Sequence, residues 1–195
     1  MNPNLILFDQ NDQQIGEASV IDGHLHDGRR HRAITAFLRD ENGRFLMTKR
    51  SLTKPLWPTY WDAAYSTHPR VGETVEACTI RRSKEELGTQ IGTGDPTCRP
   101  NNTQSVFTDH LSYEYHIKWN AAFSEWEINH ILLANIPSTI DLNNINPEEI
   151  SDYQWMTWDQ ITDWVQKDSD LISPWLTIAI QKIQMDPELK KIFSK

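Results

Sequence analysis

Three histidines and two glutamates are the residues whose types and spacing most directly suggest chemistry. Glu125 and Glu127 lie two residues apart on a predicted strand, which directs both side chains to the same face. Two adjacent carboxylates repel each other unless a cation or a shared proton lies between them. Together with the imidazoles of His24, His31 and His68, they would suit an octahedral divalent ion such as Mn²⁺ or Mg²⁺.

Simpler interpretations of the same residues stay open at this level. No two of these histidines are four residues apart, so only folding could assemble them into a metal site. A single histidine is more often a surface residue or a hydrogen-bonded core residue, and a pair of glutamates can be a solvated strand face. The other histidines keep this simpler interpretation: His26, His110, His116 and His130.

Charge and composition limit the classes of partner. The formal net charge is −8, so duplex DNA would be repelled, and a phosphate-bearing ligand requires a local cationic pocket or a metal. Cys78 and Cys98 form neither a disulfide framework nor a metal-binding pattern, which favours a reducing, cytoplasmic setting. The sequence has no signal-peptide pattern and no apolar run of about 18 residues, so we expect no membrane span.

The segment 72–88 is rich in Glu, Arg and Lys, ends on glycine, and resembles the Nudix box. When the two are aligned on the final glycine, this chain retains four residues of the box: Glu73, Arg81, Glu85 and Glu86. Thr67 stands at the leading glycine of the box, Arg82 at its first carboxylate after the arginine, and Ser83 at its apolar position. Nudix hydrolases use the carboxylate at the Arg82 position to bind metal, so this replacement disfavours hydrolysis.

Further motifs surround this segment in a fixed order. They are His24 and His31 seven residues apart, Thr48-Lys-Arg-Ser-Leu-Thr-Lys54 followed by Trp57-Pro58, Trp61, His68-Pro69, Glu73, Ile80-Arg-Arg82 with Glu86-Leu-Gly88, Glu125-Trp-Glu127, Tyr153-Gln-Trp155 and Ser173-Pro-Trp175. In type and order they resemble the type I isopentenyl diphosphate isomerases of the Nudix superfamily. The resemblance implies a metal-dependent isomerase of isoprenoid biosynthesis that acts on a small-molecule prenyl diphosphate.

The resemblance also assigns a role at the metal to each matching residue. In the family, five residues bind one divalent ion, and they correspond to His24, His31, His68, Glu125 and Glu127. The ion expected is Mg²⁺ or Mn²⁺, with Zn²⁺ as an adventitious occupant. A sixth, the counterpart of Glu86, helps to hold a second Mg²⁺ that bridges to the substrate diphosphate. The residues that match Arg50, Lys54 and Arg82 hold the diphosphate, a task suited to charge-assisted hydrogen bonds. Ordinary surface charge is the alternative for these three cations.

Proton transfer to the substrate is assigned in the same way. The counterpart of Glu127 protonates the double bond with help from a tyrosine, which corresponds to Tyr115, with Tyr113 as the other candidate. The π face of a tryptophan that matches Trp175 stabilises the resulting tertiary carbocation. Without the surrounding motif, a core aromatic would be the simpler interpretation of Trp175.

The chain departs from the family at the cysteine that exchanges a proton with the allyl carbon of the substrate. The family carries Asn-x-x-Cys-x-His-Pro, whereas residues 63–69 read Ala-Ala-Tyr-Ser-Thr-His-Pro. Ser66 therefore stands at the catalytic cysteine, Ala63 at the asparagine, and Val20 at a lysine expected four residues before His24. A serine hydroxyl needs a dedicated base, and the sequence shows none beside Ser66. Loss of a positioned base lowers a rate by about a hundred- to ten-thousand-fold.

Three functions remain open for a chain with these departures. The first is isomerisation of isopentenyl to dimethylallyl diphosphate, with reduced efficiency. The second is protonation-initiated cyclisation of a longer isoprenoid on the same site, which a larger apolar pocket would favour. The third is a weakly catalytic protein that binds diphosphates.

Strands and helices must bring these dispersed residues together. Predicted strands are residues 4–8, 32–39, 45–50, 61–66, the alternating segment around Tyr113 to Ile117, and residues 126–136. Residues 153–158 form a short aromatic segment without an assigned element. Asn42-Gly43 predicts a hairpin, residues 10–16 and 143–148 predict turns, and residues 51–60 and 89–103 predict loops.

The predicted helices complete this outline. They are Glu73 to Leu87 ended by Gly88, a helix capped by Asp159 that runs to about Lys167, and a final helix opened by Ser173-Pro174. Strands and helices without regular βαβ repetition predict an α/β or α+β fold. With the family resemblance, we expect one Nudix domain over residues 1–195, with mixed β-sheets between helices.

Overall fold

The computed structural model of the chain describes residues 4–92, 106–167 and 169–195. Its strands are β1 (Asn4–Phe8), β2 (Gln14–Ser19), β3 (His31–Arg39), β4 (Arg44–Arg50), β5 (Trp61–Asp62), β6 (Tyr65–Thr67), β7 (Thr108–Lys118), β8 (Ser124–Asn135) and β9 (Ile150–Thr157). Its helices are α1 (Val20–His24), α2 (Val75–Leu87), α3 (Trp158–Lys167), α4 (Pro174–Met185) and α5 (Pro187–Phe193). None of these described helices is long and apolar enough to cross a membrane. Cys98 and residues 93–103 of the predicted loop lie outside the described residues.

Strand β3 is the centre of the sheet. It pairs antiparallel with β1 and β6 and parallel with β8, and β7 pairs with the other edge of β8. The parallel register begins with His31 opposite Glu127, so the fold itself sets a histidine beside a glutamate. The predicted Asn42-Gly43 hairpin is confirmed, with Gly43 at a φ of 74°, and it leads into β4. Strand β4 then pairs with β5 and β9 to form a second branch.

Side chains alternate between two apolar cores on opposite faces of this sheet. Leu38 of β3 packs in the core that contains Leu87 of α2. Its neighbour Phe37 packs in the other core, with Trp158 of α3 and Phe193 of α5. Because successive side chains of a strand point to opposite faces, one buried strand serves both layers. The predicted arrangement of a mixed sheet between helices is confirmed.

Helix α2 forms where the box-like segment predicts it and has clear signals at both ends. The hydroxyl of Thr74 accepts a hydrogen bond from the N–H of Ala77 at 3.1 Å, so the helix begins one residue after this cap instead of at Glu73. Gly88 ends it with a φ of 73°. A side chain there would place Cβ 2.3 Å from the carbonyl oxygen of Asn144, so the close approach requires glycine.

Two elements near the start of the chain were not predicted. Strand β2 begins at Gln14, so the turn expected over residues 10–16 ends earlier than predicted. Three of the six residues of β2 are exposed and only Ala18 is buried, so the strand lacks an alternating apolar pattern. Main-chain pairing with β1, from Asn4 opposite Ser19 onward, forms this strand instead. Helix α1 is five residues long, too short for a helical period, and the Ser19 hydroxyl caps it by accepting from the N–H of Asp22 at 3.0 Å.

The C-terminal helices also differ in detail from the prediction. Helix α3 begins at Trp158, and its cap is Thr157 instead of Asp159. The Thr157 hydroxyl accepts from the N–H of Gln160 at 3.3 Å, while the Gln160 side chain accepts from the N–H of Thr157 at 2.8 Å. Helix α4 is not the last one, because Asp186 caps α5 by accepting from two backbone N–H groups.

Candidate active site

The five residues of the predicted metal set come from four separate parts of the fold. His24 is the last residue of α1, His31 is the first residue of β3, and His68 follows β6 directly. Glu125 and Glu127 point to one face of β8, and the β3–β8 register places Glu127 beside His31. The fold therefore assembles residues that no local spacing connects.

These five side chains converge on one small volume. One ligand atom from each residue can be chosen so that all five lie within 4.8 Å of one another. His24 Nε2 lies 2.7 Å from Glu125 Oε2, His68 Nε2 lies 2.8 Å from Glu127 Oε1, and His31 Nε2 lies 3.4 Å from the same oxygen. All but His68 are buried.

The hydrogen bonds around the histidines leave ligand atoms free. The Nδ1 atoms of His24 and His31 lie 2.5 and 2.6 Å from the carbonyl oxygens of Val20 and Arg29, which can only accept hydrogen bonds. In the neutral form of each ring, Nδ1 therefore carries the proton and Nε2 presents a lone pair to the cluster. Both Nε2 atoms and Glu125 Oε2 are buried and form no hydrogen bond of normal geometry with any described residue. Buried lone pairs directed at one another fit a divalent cation.

Burial and mutual charge set the pKa values within this cluster. Burial and the adjacent Glu127 raise the pKa of Glu125 to about 8. Burial alone would raise the pKa of Glu127, but contacts with His31 and His68 outweigh it and hold this pKa well below its usual value. Desolvation within the cluster lowers the pKa of His68 to about 3, although this side chain is partly exposed. For His24 the effect of burial is outweighed by Glu125, so that its pKa rises to about 9. A bound cation would instead favour neutral imidazoles and ionised carboxylates.

Tyr115 is the tyrosine beside the predicted acid. It lies opposite Glu127 in the β7–β8 register, and its hydroxyl donates a hydrogen bond to Glu127 Oε2. The other candidate, Tyr113, donates instead to the carbonyl oxygen of Trp175 at 2.7 Å. Burial raises the pKa of Tyr115 well above its usual value, so the phenol stays protonated as a donor.

Trp175, in the first turn of α4, is fixed by polar contacts as well as by packing. Its indole N–H lies 2.9 Å from Asp62 Oδ2 and 3.1 Å from Ser66 Oγ, and both oxygens accept from it. The guanidinium carbon of Arg50 lies 5.1 Å from the indole centroid, and Trp57 packs edge-on at 5.3 Å. The ring is therefore placed where it contacts positive charge.

The expectation that no base lies beside Ser66 is wrong. Ser66 Oγ donates to Asp62 Oδ1 at 3.2 Å, and Thr35 Oγ1 lies 3.1 Å from Ser66 Oγ. The predicted continuous strand over 61–66 would separate Asp62 from Ser66 by about 13 Å, at about 3.3 Å per residue. The chain instead bends at Ala63 and Ala64 between β5 and β6, so the aspartate folds back onto the serine.

The predicted diphosphate residues form a cationic group with carboxylates between them. Arg82 lies 2.9 Å from Glu85 and 3.1 Å from Glu149, and Lys54 pairs with the same Glu149. Arg50 donates to the carbonyl oxygens of Leu56 and Trp57. Glu149 follows a predicted turn and belongs to no recognisable motif, so sequence patterns could not identify it.

Glu86 lies apart from the five-residue cluster. Its Oε1 accepts from Arg82 Nε at 2.9 Å, and the side chain is buried in α2. The structure therefore joins Glu86 to the cationic group. Its predicted part in holding a second Mg²⁺ stays a prediction.

One cavity of about 240 Å³ connects the acid, the tryptophan and the cations. Polar and aromatic residues that line it include Arg50, Lys54, Ser66, His68, Arg82, Tyr115, Glu125, Glu127 and Trp175. Apolar walls come from Leu5, Val20 and Leu56. Val20, which stands at the position of a family lysine, therefore contributes an apolar surface to the same cavity.

Comparison with known proteins identifies relatives over most of the chain. The sequence profile of the NUDIX domain matches residues 29–176. The isopentenyl-diphosphate Delta-isomerase of Haloarcula marismortui is 33% identical over 180 residues, which cover 91% of this chain and 89% of that protein. The protein of the same name from Cutibacterium acnes is 29% identical over 187 residues, which cover 95% of this chain and 88% of that protein.

Solved structures share the fold at low sequence identity. A Deinococcus radiodurans protein superposes with a TM-score of 0.68 at 19% identity, over 92% of this chain and 98% of that chain. A NUDIX hydrolase from Alicyclobacillus acidocaldarius superposes with a TM-score of 0.58 at 12% identity, over 87% of this chain and 97% of that chain. These likenesses show the fold of the chain.

Proposed function

Because this chain belongs to the type I isopentenyl diphosphate isomerase family of the Nudix superfamily, we propose that it interconverts isopentenyl and dimethylallyl diphosphate. One observation carries the proposal above all others. Glu127, hydrogen-bonded to Tyr115, lines the same cavity as Ser66 and Trp175. The cavity thus holds a proton donor, a second group that can take part in proton transfer, and an aromatic ring for a cation.

The metal requirement rests on the converging lone pairs of the cluster. We assign the ion to His24, His31, His68, Glu125 and Glu127. Glu86 would help to hold a second Mg²⁺ that supplies charge for the diphosphate. A bound Mg²⁺ or Mn²⁺ would supply charge that offsets the repulsion between the two carboxylates and keeps the imidazoles unprotonated. The cluster then holds the Glu127 carboxylate where it accepts the hydrogen bond from the Tyr115 hydroxyl.

Proton transfer would proceed from one side of the alkene to the other. Because the cluster favours the ionised form of Glu127, this carboxylate must first take up a proton. Assisted by the Tyr115 hydroxyl, it then protonates the terminal methylene carbon and leaves a tertiary carbocation. The indole face of Trp175 stabilises that positive charge. Removal of a proton on the Ser66 side then forms the new double bond. No redox cofactor is needed for this reaction.

The cavity volume supports a small substrate. Pockets for drug-sized ligands occupy about 300–1,000 Å³, whereas this cavity measures about 240 Å³. A cyclase of a longer isoprenoid would need room for a folded chain, so we prefer the five-carbon reaction. The arginine at position 82 argues against a Nudix hydrolase, because it places a cation where hydrolases hold metal with a carboxylate.

Replacing Arg82 with glutamate is expected to weaken diphosphate binding by at least about tenfold. The change removes a charge-assisted donor, worth about 1.5–3 kcal/mol, and adds a fourth carboxylate to Glu85, Glu86 and Glu149. Isothermal titration with an unreactive diphosphate analogue measures the effect. Lys84→Glu makes the same charge change at an exposed position of α2 and serves as the matched control. Equal affinities of the two variants would mean that Arg82 is ordinary surface charge.

Product analysis tests the proposed function. The purified protein, supplied with Mg²⁺ or Mn²⁺, is incubated with isopentenyl diphosphate and separately with a fifteen-carbon prenyl diphosphate. We expect dimethylallyl diphosphate from the first and no cyclic product from the second. A cyclic diphosphate from the longer substrate would replace isomerisation with cyclisation, and release of phosphate from either substrate would replace it with hydrolysis. Binding of both substrates without any product would leave a diphosphate-binding protein.

A further inference from the structure

Asp62 is a buried carboxylate that no part of the reaction described so far uses. We propose that Asp62 makes Ser66 the proton acceptor of the isomerisation, so that an aspartate–serine pair replaces the thiol of the family. This inference rests on the proposed function and adds the base that the second proton transfer requires. Asp62 acts through Ser66 and is therefore a positioning and relay residue, while Ser66 is the group that lines the cavity.

The geometry around Ser66 allows a directional relay. Its hydroxyl lies 3.2 Å from Asp62 Oδ1, while the indole N–H of Trp175 donates to its oxygen at 3.1 Å. Trp175 can only donate, so the serine proton is directed at the carboxylate or at Thr35. With the serine proton on the carboxylate side, the lone pair of Ser66 Oγ that does not accept from Trp175 is left for a carbon-bound proton of a substrate in the cavity that Ser66 lines.

The contacts of Asp62 favour its ionised form as the starting state. Two of its hydrogen-bond partners can only donate: the backbone N–H of Ala63 at 2.8 Å and the indole N–H of Trp175 at 2.9 Å. Arg50 adds positive charge 3.8 Å away. Complete burial nevertheless raises the pKa of Asp62 above its usual value, which makes the carboxylate a stronger proton acceptor than an exposed aspartate.

The proposed step balances in protons and electrons. Glu127 gives its proton to the terminal carbon, and the π electrons of the alkene form the new C–H bond. The Ser66 oxygen then takes a proton from the carbon adjacent to the cation, and that C–H electron pair becomes the new double bond. At the same time the serine hydroxyl proton passes to Asp62 Oδ1. Asp62 ends as the carboxylic acid and Glu127 as the carboxylate, and exchange with solvent restores both.

A purely structural role for Asp62 is the competing explanation. Asp62 anchors the bend at Ala63 and orients the ring of Trp175, so its loss could lower activity without any proton relay. The two explanations differ in their dependence on residue 66. A thiol with a pKa near 8.5 supplies some thiolate by itself, so Ser66→Cys should make the reaction independent of Asp62. A structural anchor would be needed equally with either side chain.

A double-mutant cycle separates these explanations. Turnover of isopentenyl diphosphate by the metal-loaded protein is compared for wild type, Asp62→Asn, Ser66→Cys and the double variant. We expect Asp62→Asn to lower kcat at least about a hundredfold with little change in KM, the usual scale for a positioned base. In the Ser66→Cys background the same change should cost less than about threefold, or raise kcat, since a carboxylate beside a thiol disfavours the thiolate. Asp163→Asn, at an exposed position of α3, is the control.

A labelling measurement adds a readout that a structural role would not produce. In deuterated water Asp62→Asn should still exchange deuterium into the terminal methylene of recovered isopentenyl diphosphate, because protonation by Glu127 remains and only the opposite step is blocked. Equal losses of kcat in both backgrounds, or recovered substrate without label, would overturn the relay. A wild-type protein that leaves isopentenyl diphosphate unchanged would instead overturn the proposed function, so the two failures are distinguishable.

Discussion

Replacing Glu127 with glutamine is expected to lower the rate of isomerisation by about ten-thousand-fold, the upper end of the usual effect of a positioned acid. Glutamine keeps the shape of the side chain and can accept the hydrogen bond from Tyr115, but its amide cannot give a proton to an alkene. The position lies between Tyr115 on one side and His31 and His68 on the other. The measurement is kcat with isopentenyl diphosphate at saturating Mg²⁺.

A matched control separates the acid from general damage to the strand pair. Glu114 lies on β7 opposite Ile128, is exposed, and pairs with Arg30. Glu114→Gln makes the same chemical change close to the site and should leave kcat within about twofold. Glu127 also belongs to the proposed metal set, so metal content must be measured in parallel. Substantial turnover by metal-loaded Glu127→Gln would show that another group protonates the substrate.

Replacing His68 with alanine is expected to lower the affinity for divalent metal by at least about a hundredfold and to remove turnover with it. Altering groups that only orient ligands already costs about 10–100-fold, and His68 would be a ligand itself. Its side chain is 21% exposed, so the substitution opens little space in the core and the fold should survive. Metal content after dialysis, by elemental analysis, should fall from near one ion per chain to near none.

Another histidine of the chain provides the control for this change. His130 lies on β8, three residues beyond Glu127, and pairs with Asp109 at the surface. His130→Ala should keep both the metal and the activity. Added Mn²⁺ or Mg²⁺ should restore activity to chelator-treated wild type. The same metal concentration should fail to restore activity to His68→Ala. Equal metal content in the two variants would exclude His68 from the metal set.

The sequence could predict the metal cluster because its members carry their own chemistry. Three imidazoles and a pair of glutamates two residues apart are unusual enough to be noticed, and the family motifs order them. The sequence could not show how they meet, because the parallel register of β3 and β8 that joins His31 to Glu127 depends on long-range pairing. The helix α1, which carries His24, is also too short to leave a periodic signal.

The carboxylate beside Ser66 illustrates a different limit of prediction from sequence. Asp62 and Ser66 are four residues apart, and an extended strand between them would separate the two side chains by about 13 Å. Only the bend at Ala63 and Ala64 brings them together, and alanine carries no turn signal that would predict it. Glu149 shows the same limit, since its contacts with Lys54 and Arg82 arise from the packing of a turn against α2.

The most direct measurement follows the unaltered protein, with Ser66 in place, in deuterated water. The Mg²⁺- or Mn²⁺-loaded protein is incubated with isopentenyl diphosphate, and the products are identified by nuclear magnetic resonance. We predict that dimethylallyl diphosphate accumulates with deuterium in one methyl group, because protonation of the terminal carbon takes its proton from a group that exchanges with solvent. Unlabelled and unchanged substrate after incubation with protein that holds its metal would contradict the proposal that this cavity isomerises prenyl diphosphates.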